Sequence, residues 1–232
     1  MGPEDSQAFS RPEFGPRRSS AQAAASYIAR LIFDGELRPG SRVGQEQIAE
    51  LLGMSKVPVR EALVALERDG WIHLEQHRGA FVNPITREGI AEHYQELSRM
   101  MLEYLLNRAA RRQNPPVMEA LRRIGAAFEH TDEPADALHL TGEFNAALIA
   151  DMADLPRARM LLGTLQMSSF VPGNQYESLP ETTHLPRRFL PGIVRSVEAS
   201  DFDAIERAVG EMTAEMTECV IAHFVNRGVI GA

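Results

Sequence analysis

The chain has 232 residues, 44% of them hydrophobic and 24% charged, a length that suits two modest domains with packed cores. A single cysteine, Cys219, rules out an internal disulfide framework and fits a reducing compartment, and no run of about 18 apolar residues is present to span a bilayer. The net charge of −8 argues against a surface that coats nucleic acid uniformly, but it is unevenly spread: residues 11–87 carry 11 Lys+Arg against 9 Asp+Glu, whereas residues 88–232 carry 13 against 21.

Residues 1–18 are rich in Pro, Gly, Ser and Arg and lack the apolar core of a signal peptide, so a disordered lead-in to a cytoplasmic protein is expected. From Ala21 to Asp34, the residues Ala24, Ile28, Leu31 and Ile32 form one apolar stripe, and Gly35 stops the helix. Pro39-Gly40 then makes a turn. Ile48, Leu51 and Leu52 fall on one face of a second helix, Gly53-Met54 breaks the period, and the Ser55 hydroxyl is placed to cap a third helix. Pro58 lies in that helix's first turn, where no backbone N–H is needed, and Ala62, Leu63 and Leu66 face inward. This order is a helix-turn-helix. It leaves Ser55, Lys56, Val57 and Arg60 at the solvent-facing start of the recognition helix, the end that meets base edges.

After Asp69-Gly70, the stretch from Trp71 to Glu75 alternates apolar and polar residues and pairs with Ala80-Phe81-Val82 across Gln76-His77-Arg78-Gly79. The pair forms a wing. Gly79 supplies the positive φ its loop needs, and Arg78 at the tip has the reach for a minor groove or a phosphate. Asn83-Pro84-Ile85-Thr86 closes a first domain at residues 19–84, and 85–232 form the second. There, Thr86 caps a helix running to about Arg112 whose apolar side is Leu97, Met100, Met101, Tyr104 and Leu105. Further helical periods cover about 117–130, 135–151, 156–169, 182–199 and 202–227, with a loop at Pro172-Gly173-Asn174 and Pro180. The fold class is therefore mainly α: a winged helix-turn-helix with a small hairpin, then an all-α bundle of six or seven helices.

The run from Leu37 to Val82, with RPGSRV, IAELLGMSKVPVREALVALERDGWI and HRGAFV, resembles the N-terminal domain of GntR-family bacterial transcription regulators. The order of modules is similar to the FadR-like subgroup, over about Ala21 to His223. The resemblance implies base and phosphate contact by Lys56, Val57 and Arg60, minor-groove contact by His77, Arg78 and Gly79, and a C-terminal domain that dimerises and binds a small effector. Two positions depart from the family. Lys56 stands where arginine is commoner, which keeps a cation but loses the bidentate fork, and Glu46 stands where many members place a DNA-contacting arginine. Glu46 faces phosphate unfavourably and is left out of the interface.

Many relatives hold a divalent metal in the C-terminal bundle with an Asp and three His. The matching positions here are Thr141, Asn145, Leu190 and Met212, none of which is a good ligand of that type, so neither a metal nor another cofactor is expected. A rebuilt site on His139, Glu143 and His184 is the competing arrangement. The same four positions are expected to line an effector pocket more apolar than in metal-binding relatives. Arg99 matches the family's effector-facing arginine, which points to an organic acid. An ion pair with Glu103, four residues on, is its alternative role.

No phosphate-binding glycine loop, H-E-x-x-H, paired Cys motif or Gly-x-Ser-x-Gly turn is present, so no enzyme is expected. The reading is a homodimeric regulator, a repressor, that binds a palindromic double-stranded DNA operator, responds to a small effector and has no membrane partner. The alternative is a ligand-independent helical dimer scaffold whose winged helix contacts protein.

Overall fold

The computed structural model describes residues 19–130, 134–152, 154, 155, 182 and 184–231. The chain forms two compact units that divide between Pro84 and Ile85. The helical period expected at 156–169 and the loop at Pro172-Gly173-Asn174 and Pro180 lie outside the described residues.

The first unit begins with α1 (Ser20–Phe33), entered through a reciprocal cap in which Ser19 Oγ accepts from Gln22 N at 3.2 Å and Gln22 Oε1 accepts from Ser19 N at 3.0 Å. Its stripe of Ala24, Ile28, Leu31 and Ile32 is buried as expected. A short strand, β1 (Arg42–Val43), precedes α2 (Gln45–Leu52), which stops where Gly53 takes the left-handed conformation at φ 64°. Then α3 (Lys56–Arg68) buries Val59, Ala62, Leu63 and Leu66 in the core it shares with α1. Fully burying a side chain such as Leu66 contributes about 1.5–3 kcal/mol, so this helix is held by packing more than by local propensity.

The wing is the hairpin of β2 (Ile72–Glu75) and β3 (Gly79–Val82), with Leu74 opposite Ala80 and Ile72 opposite Val82. A third strand completes it. β1 pairs antiparallel with β3, Val43 opposite Ala80, giving the order β1-β3-β2, so β3 is central where the sequence suggests an isolated hairpin. Trp71 anchors the sheet to α1, its ring edge-on to Phe33 at 4.9 Å. The wing loop needs two left-handed residues, not one: Gly79 at φ 110° and also His77 at φ 63°.

In the second unit, Thr86 Oγ1 accepts from Gly89 N at 3.0 Å and caps α4 (Arg87–Ala91). The expected continuous helix is interrupted by a π-helical segment, Glu92–Ser98, before α5 (Arg99–Arg112) completes it. There follow α6 (Pro115–Glu129), with proline in its first turn, α7 (Pro134–Ala150), α8 (His184–Ala199) and α9 (Phe202–Asn226), whose N-terminus is capped by Asp201. Among the described residues this unit is entirely helical, and no helix is long and apolar enough to cross a membrane. Its core joins Leu105, Leu106, Leu121, Phe128, Phe144, Ile193 and Val209. The apolar side expected for the first long helix is corrected in part. Leu105 is buried and Met101 packs on the core, but Leu97, Met100 and Tyr104 are 47%, 60% and 47% exposed, because the core takes the adjoining stripe of Leu102, Leu105, Leu106 and Ala109.

Candidate functional site

The start of α3 is solvent-facing. Val57 is 65% exposed and Lys56 and Arg60 are exposed beside it, a spacing that gives one helical turn three projecting side chains. Ser55 occupies the cap position, but its hydroxyl makes no cap hydrogen bond, contrary to expectation. At an exposed helix start, water satisfies the free N–H groups. Gln45 Nε2 reaches across the turn to the Lys56 carbonyl at 3.0 Å and ties α2 to α3.

The charges on this face are partly neutralised from within. Lys56 Nζ pairs with Glu46 Oε1, and this hydrogen bond, with the attraction behind it, holds the Glu46 carboxyl below the usual range. At the wing, Arg78 pairs with Glu75 and lies over the Phe81 ring at 5.4 Å. Arg42 and Arg60 make no ion pair among the described residues, and both line the concave surface between α2, α3 and the wing. Arg42 runs alongside the wing loop: a Cβ added to Gly79 comes within 3.1 Å of Arg42 Nε. Sequence reasoning overlooked Arg42. Its signal is slight, an exposed Arg before a buried Val in a strand of two residues. His77 stands exposed in the wing loop.

In the helical unit, a cavity of about 140 Å³ is lined by side chains from several helices. Thr141 and Asn145 come from α7, Leu190 from α8 and Met212 from α9, so the four positions singled out in the sequence share one cavity, with Met101, Leu102, Phe144 and Met216 completing much of the apolar wall. Among its polar groups, Thr141 Oγ1 donates to the Ala137 carbonyl at 2.8 Å, and Thr213 Oγ1 to that of Val209 at 2.9 Å. Ser98 Oγ lies 3.1 Å from His93 Nε2. Asn145 makes no hydrogen bond among the described residues.

Arg99 is not part of this cavity. Its Nε donates to Glu103 Oε1 at 2.6 Å and its Nη2 lies 3.5 Å from Glu206 Oε1, in a separate polar recess beside Asp203 and Gly210. The Glu103 hydrogen bond and charge raise the guanidinium pKa further. A neighbouring carboxylate four residues on, reinforced by a second from α9, outcompetes an apolar cavity for a guanidinium. The donor set does not fit a divalent metal either: a hydroxyl already bonded to backbone, a neutral amide, an alkyl chain and a thioether replace the carboxylate and imidazoles. Elsewhere, His139 Nε2 lies 2.9 Å from Glu143, which also accepts from Arg123 at 2.6 Å, and His184 is exposed at the start of α8. No three His, Cys, Asp or Glu side chains among the described residues come together as a ligand set.

The family model described as "Bacterial regulatory proteins, gntR family" matches residues 20–82. An uncharacterized HTH-type transcriptional regulator of Mycobacterium tuberculosis is 36% identical over 108 residues, 47% of this chain and 44% of that protein. The "Fatty acid metabolism regulator protein" of Pasteurella multocida is 26% identical over 187 residues, 74% of this chain and 78% of that one. The chain spans about half the length of the first curated relatives it matches. Two solved structures share the fold at a TM-score of 0.57. One is described as "Lar controls the expression of the Listeria monocytogenes agr system and mediates virulence", 15% identical and covering 90% of this chain and 99% of that one; the other is E. coli McbR/YncC, 16% identical over 90% and 100%. The curated relatives carry the names of regulators, and residues 20–82 of this chain, which fold as a winged helix-turn-helix, match the gntR-family model.

Proposed function

We propose that the chain is a homodimeric repressor of transcription that binds a palindromic operator through its winged helices and is controlled by a small effector in its helical unit. It acts in the cytoplasm. Residues 19–84 are the DNA-binding domain and 85–232 the effector-binding and dimerisation domain. The observation that carries this is the solvent-facing first turns of α3, with Ser55, Lys56, Val57 and Arg60, beside a wing that presents His77, Arg78 and Gly79. That arrangement suits insertion of α3 into a major groove and of the wing tip into the adjacent minor groove.

A dimer sums two weakly basic faces and matches operator symmetry. The exposed stripe of Leu97, Met100 and Tyr104 is the surface we assign to the second copy, since its side chains repeat at helical spacing and escape the subunit's own core. The effector occupies the cavity of Thr141, Asn145, Leu190 and Met212. It regulates only by preferring one arrangement of the dimer to another, because equal affinity for both shifts nothing. The Glu103 and Glu206 contacts of Arg99 weigh against an organic-acid effector anchored on that guanidinium.

The test is a gel-shift titration of the full chain on its own upstream DNA at several salt concentrations, with Arg60→Ala as the variant. Salt-dependent binding that Arg60→Ala weakens while the fold persists supports the reading. The scaffold alternative draws on the Glu46–Lys56 and Glu75–Arg78 pairs, which damp the positive face. Absent or salt-independent binding to every DNA tested selects it.

A further inference from the structure

We infer that the cavity in the helical unit binds an uncharged, largely apolar organic molecule of roughly benzene size, without a metal, and that Asn145 supplies its polar contact. The inference rests on reading the helical unit as the effector-binding part and names the class of effector.

Size sets the first limit. At about 140 Å³, the cavity is close to the roughly 150 Å³ that holds one benzene in an apolar protein interior. A monocyclic phenol, or a cyclic alcohol or ketone of similar bulk, matches that space. Charge sets the second limit. The cavity's described walls carry no ionisable side chain other than the phenol of Tyr94, and burial raises that group's pKa, so it stays neutral. A carboxylate placed there gives up its hydration with no cation among the described lining residues to replace it, an uphill transfer. Arg99, the candidate counterion, is held by Glu103 and Glu206 outside the cavity.

Hydrogen bonding sets the third limit. The Thr141 and Thr213 hydroxyl protons are used on backbone carbonyls, which leaves lone pairs but no donor for a ligand, and Ser98 Oγ is engaged with His93 Nε2 at 3.1 Å. The Asn145 amide keeps both a donor and an acceptor. A neutral hydroxyl or carbonyl satisfies it without a charge change, while the apolar remainder meets Leu102, Leu190, Met212 and Met216. The thioethers adapt to the outline of a ring.

The methionines that line the cavity also supply the readout. Full-length protein labelled at its methionine methyl carbons is titrated separately with phenol, benzoate, decanoate and zinc chloride, and signals are assigned through Met101→Leu, Met212→Leu and Met216→Leu. Phenol is expected to shift those three methyls saturably and the other probes to leave them in place. Asn145→Leu is expected to weaken phenol by about three- to tenfold, the effect of one neutral hydrogen bond, while leaving toluene unaffected, which separates lost bonding from lost fold. Tighter binding of benzoate or decanoate, a zinc-induced shift of these methyls, or no response to phenol each overturns the inference. Operator affinity measured in parallel keeps the two readings apart. A phenol-responsive cavity with unaltered operator binding supports the ligand class and overturns its regulatory use.

Discussion

Replacing Glu46 by Gln removes the carboxylate that holds Lys56 at the start of the recognition helix. Both partners are exposed, with side chains 81% and 63% accessible, so the pair adds little to stability and the fold is expected to persist. Its effect falls on DNA. Each cation that newly reaches a phosphate steepens the dependence of log affinity on log salt by about 0.9, so two freed lysines in a dimer steepen it by about 1.8. Between 50 and 200 mM salt the variant should then lose about twelvefold more affinity than the parent, having gained affinity at the low end. Fluorescence anisotropy on labelled operator, at five or six salt concentrations, measures the slope directly. The double variant Glu46→Gln with Lys56→Ala should return the slope to that of the parent or below it. A slope unchanged by Glu46→Gln alone refutes the reasoning, because Lys56 then reaches phosphate despite its partner or never reaches it.

The remaining predictions concern assembly, the wing and the helical core. Met100→Glu sets a charge in the exposed stripe of α5, where Met100 is 60% accessible, and should shift sedimentation from dimer to monomer while leaving the subunit folded. Gly79→Ala forces a side chain onto a residue at φ 110° and against Arg42, which should destabilise the first unit by about 1–3 kcal/mol in chemical unfolding and weaken operator binding more than stability. Asp151 is buried, 3.5 Å from the guanidiniums of both Arg108 and Arg112, and accepts from Asn114 Nδ2 at 3.2 Å. Asp151→Ala leaves Arg108 and Arg112 with Asp154, at 2.6 and 3.2 Å, as their remaining carboxylate and Asn114 Nδ2 without its acceptor, and should destabilise the second unit by about 1–3 kcal/mol, read as an earlier urea midpoint.

Burial pushes the His93 imidazole down to about 4. The unfolded chain therefore binds the proton more readily between that value and about 6.5, and stability falls as pH drops through this window. The full difference approaches about 3 kcal/mol. His93→Gln should flatten the urea midpoint between pH 6.5 and 4.5, and an unchanged acid sensitivity in that variant would assign the loss to other groups.

The first unit was legible because its residues carry one signal each. Ile48, Leu52, Val59, Ala62 and Leu66 repeat at helical spacing, Gly53 stops one helix before Ser55 opens the next, and the wing alternates. β1 was not legible, since two residues give no period, and only its pairing with β3 defines it. Ser55 shows the limit of a local rule: position makes it the cap residue, but the hydroxyl rotor answers to solvent as much as to the backbone.

The first long helix of the second unit was ambiguous for a different reason. MMLEYLL is apolar around most of the helix, so the pattern does not reveal which stripe enters the core, and the choice fell on Leu102, Leu105 and Leu106, leaving Met100 and Tyr104 outside. Arg99 lies within that ambiguity. Its partner four residues on was readable, but Glu206 belongs to a helix more than a hundred positions away, and the two carboxylates together decide its direction. Thr141, Asn145, Leu190 and Met212 are the reverse case. Thr141 and Asn145 lie four apart on one helix, but no local period connects that pair to Leu190 and Met212 on two other helices, and only resemblance to a family grouped the four in advance. Their convergence on one cavity then makes their chemistry informative as a set. A hydroxyl, an amide, an alkyl chain and a thioether carry no charge between them, and that neutrality is the basis for proposing that the cavity selects by fit and one neutral hydrogen bond.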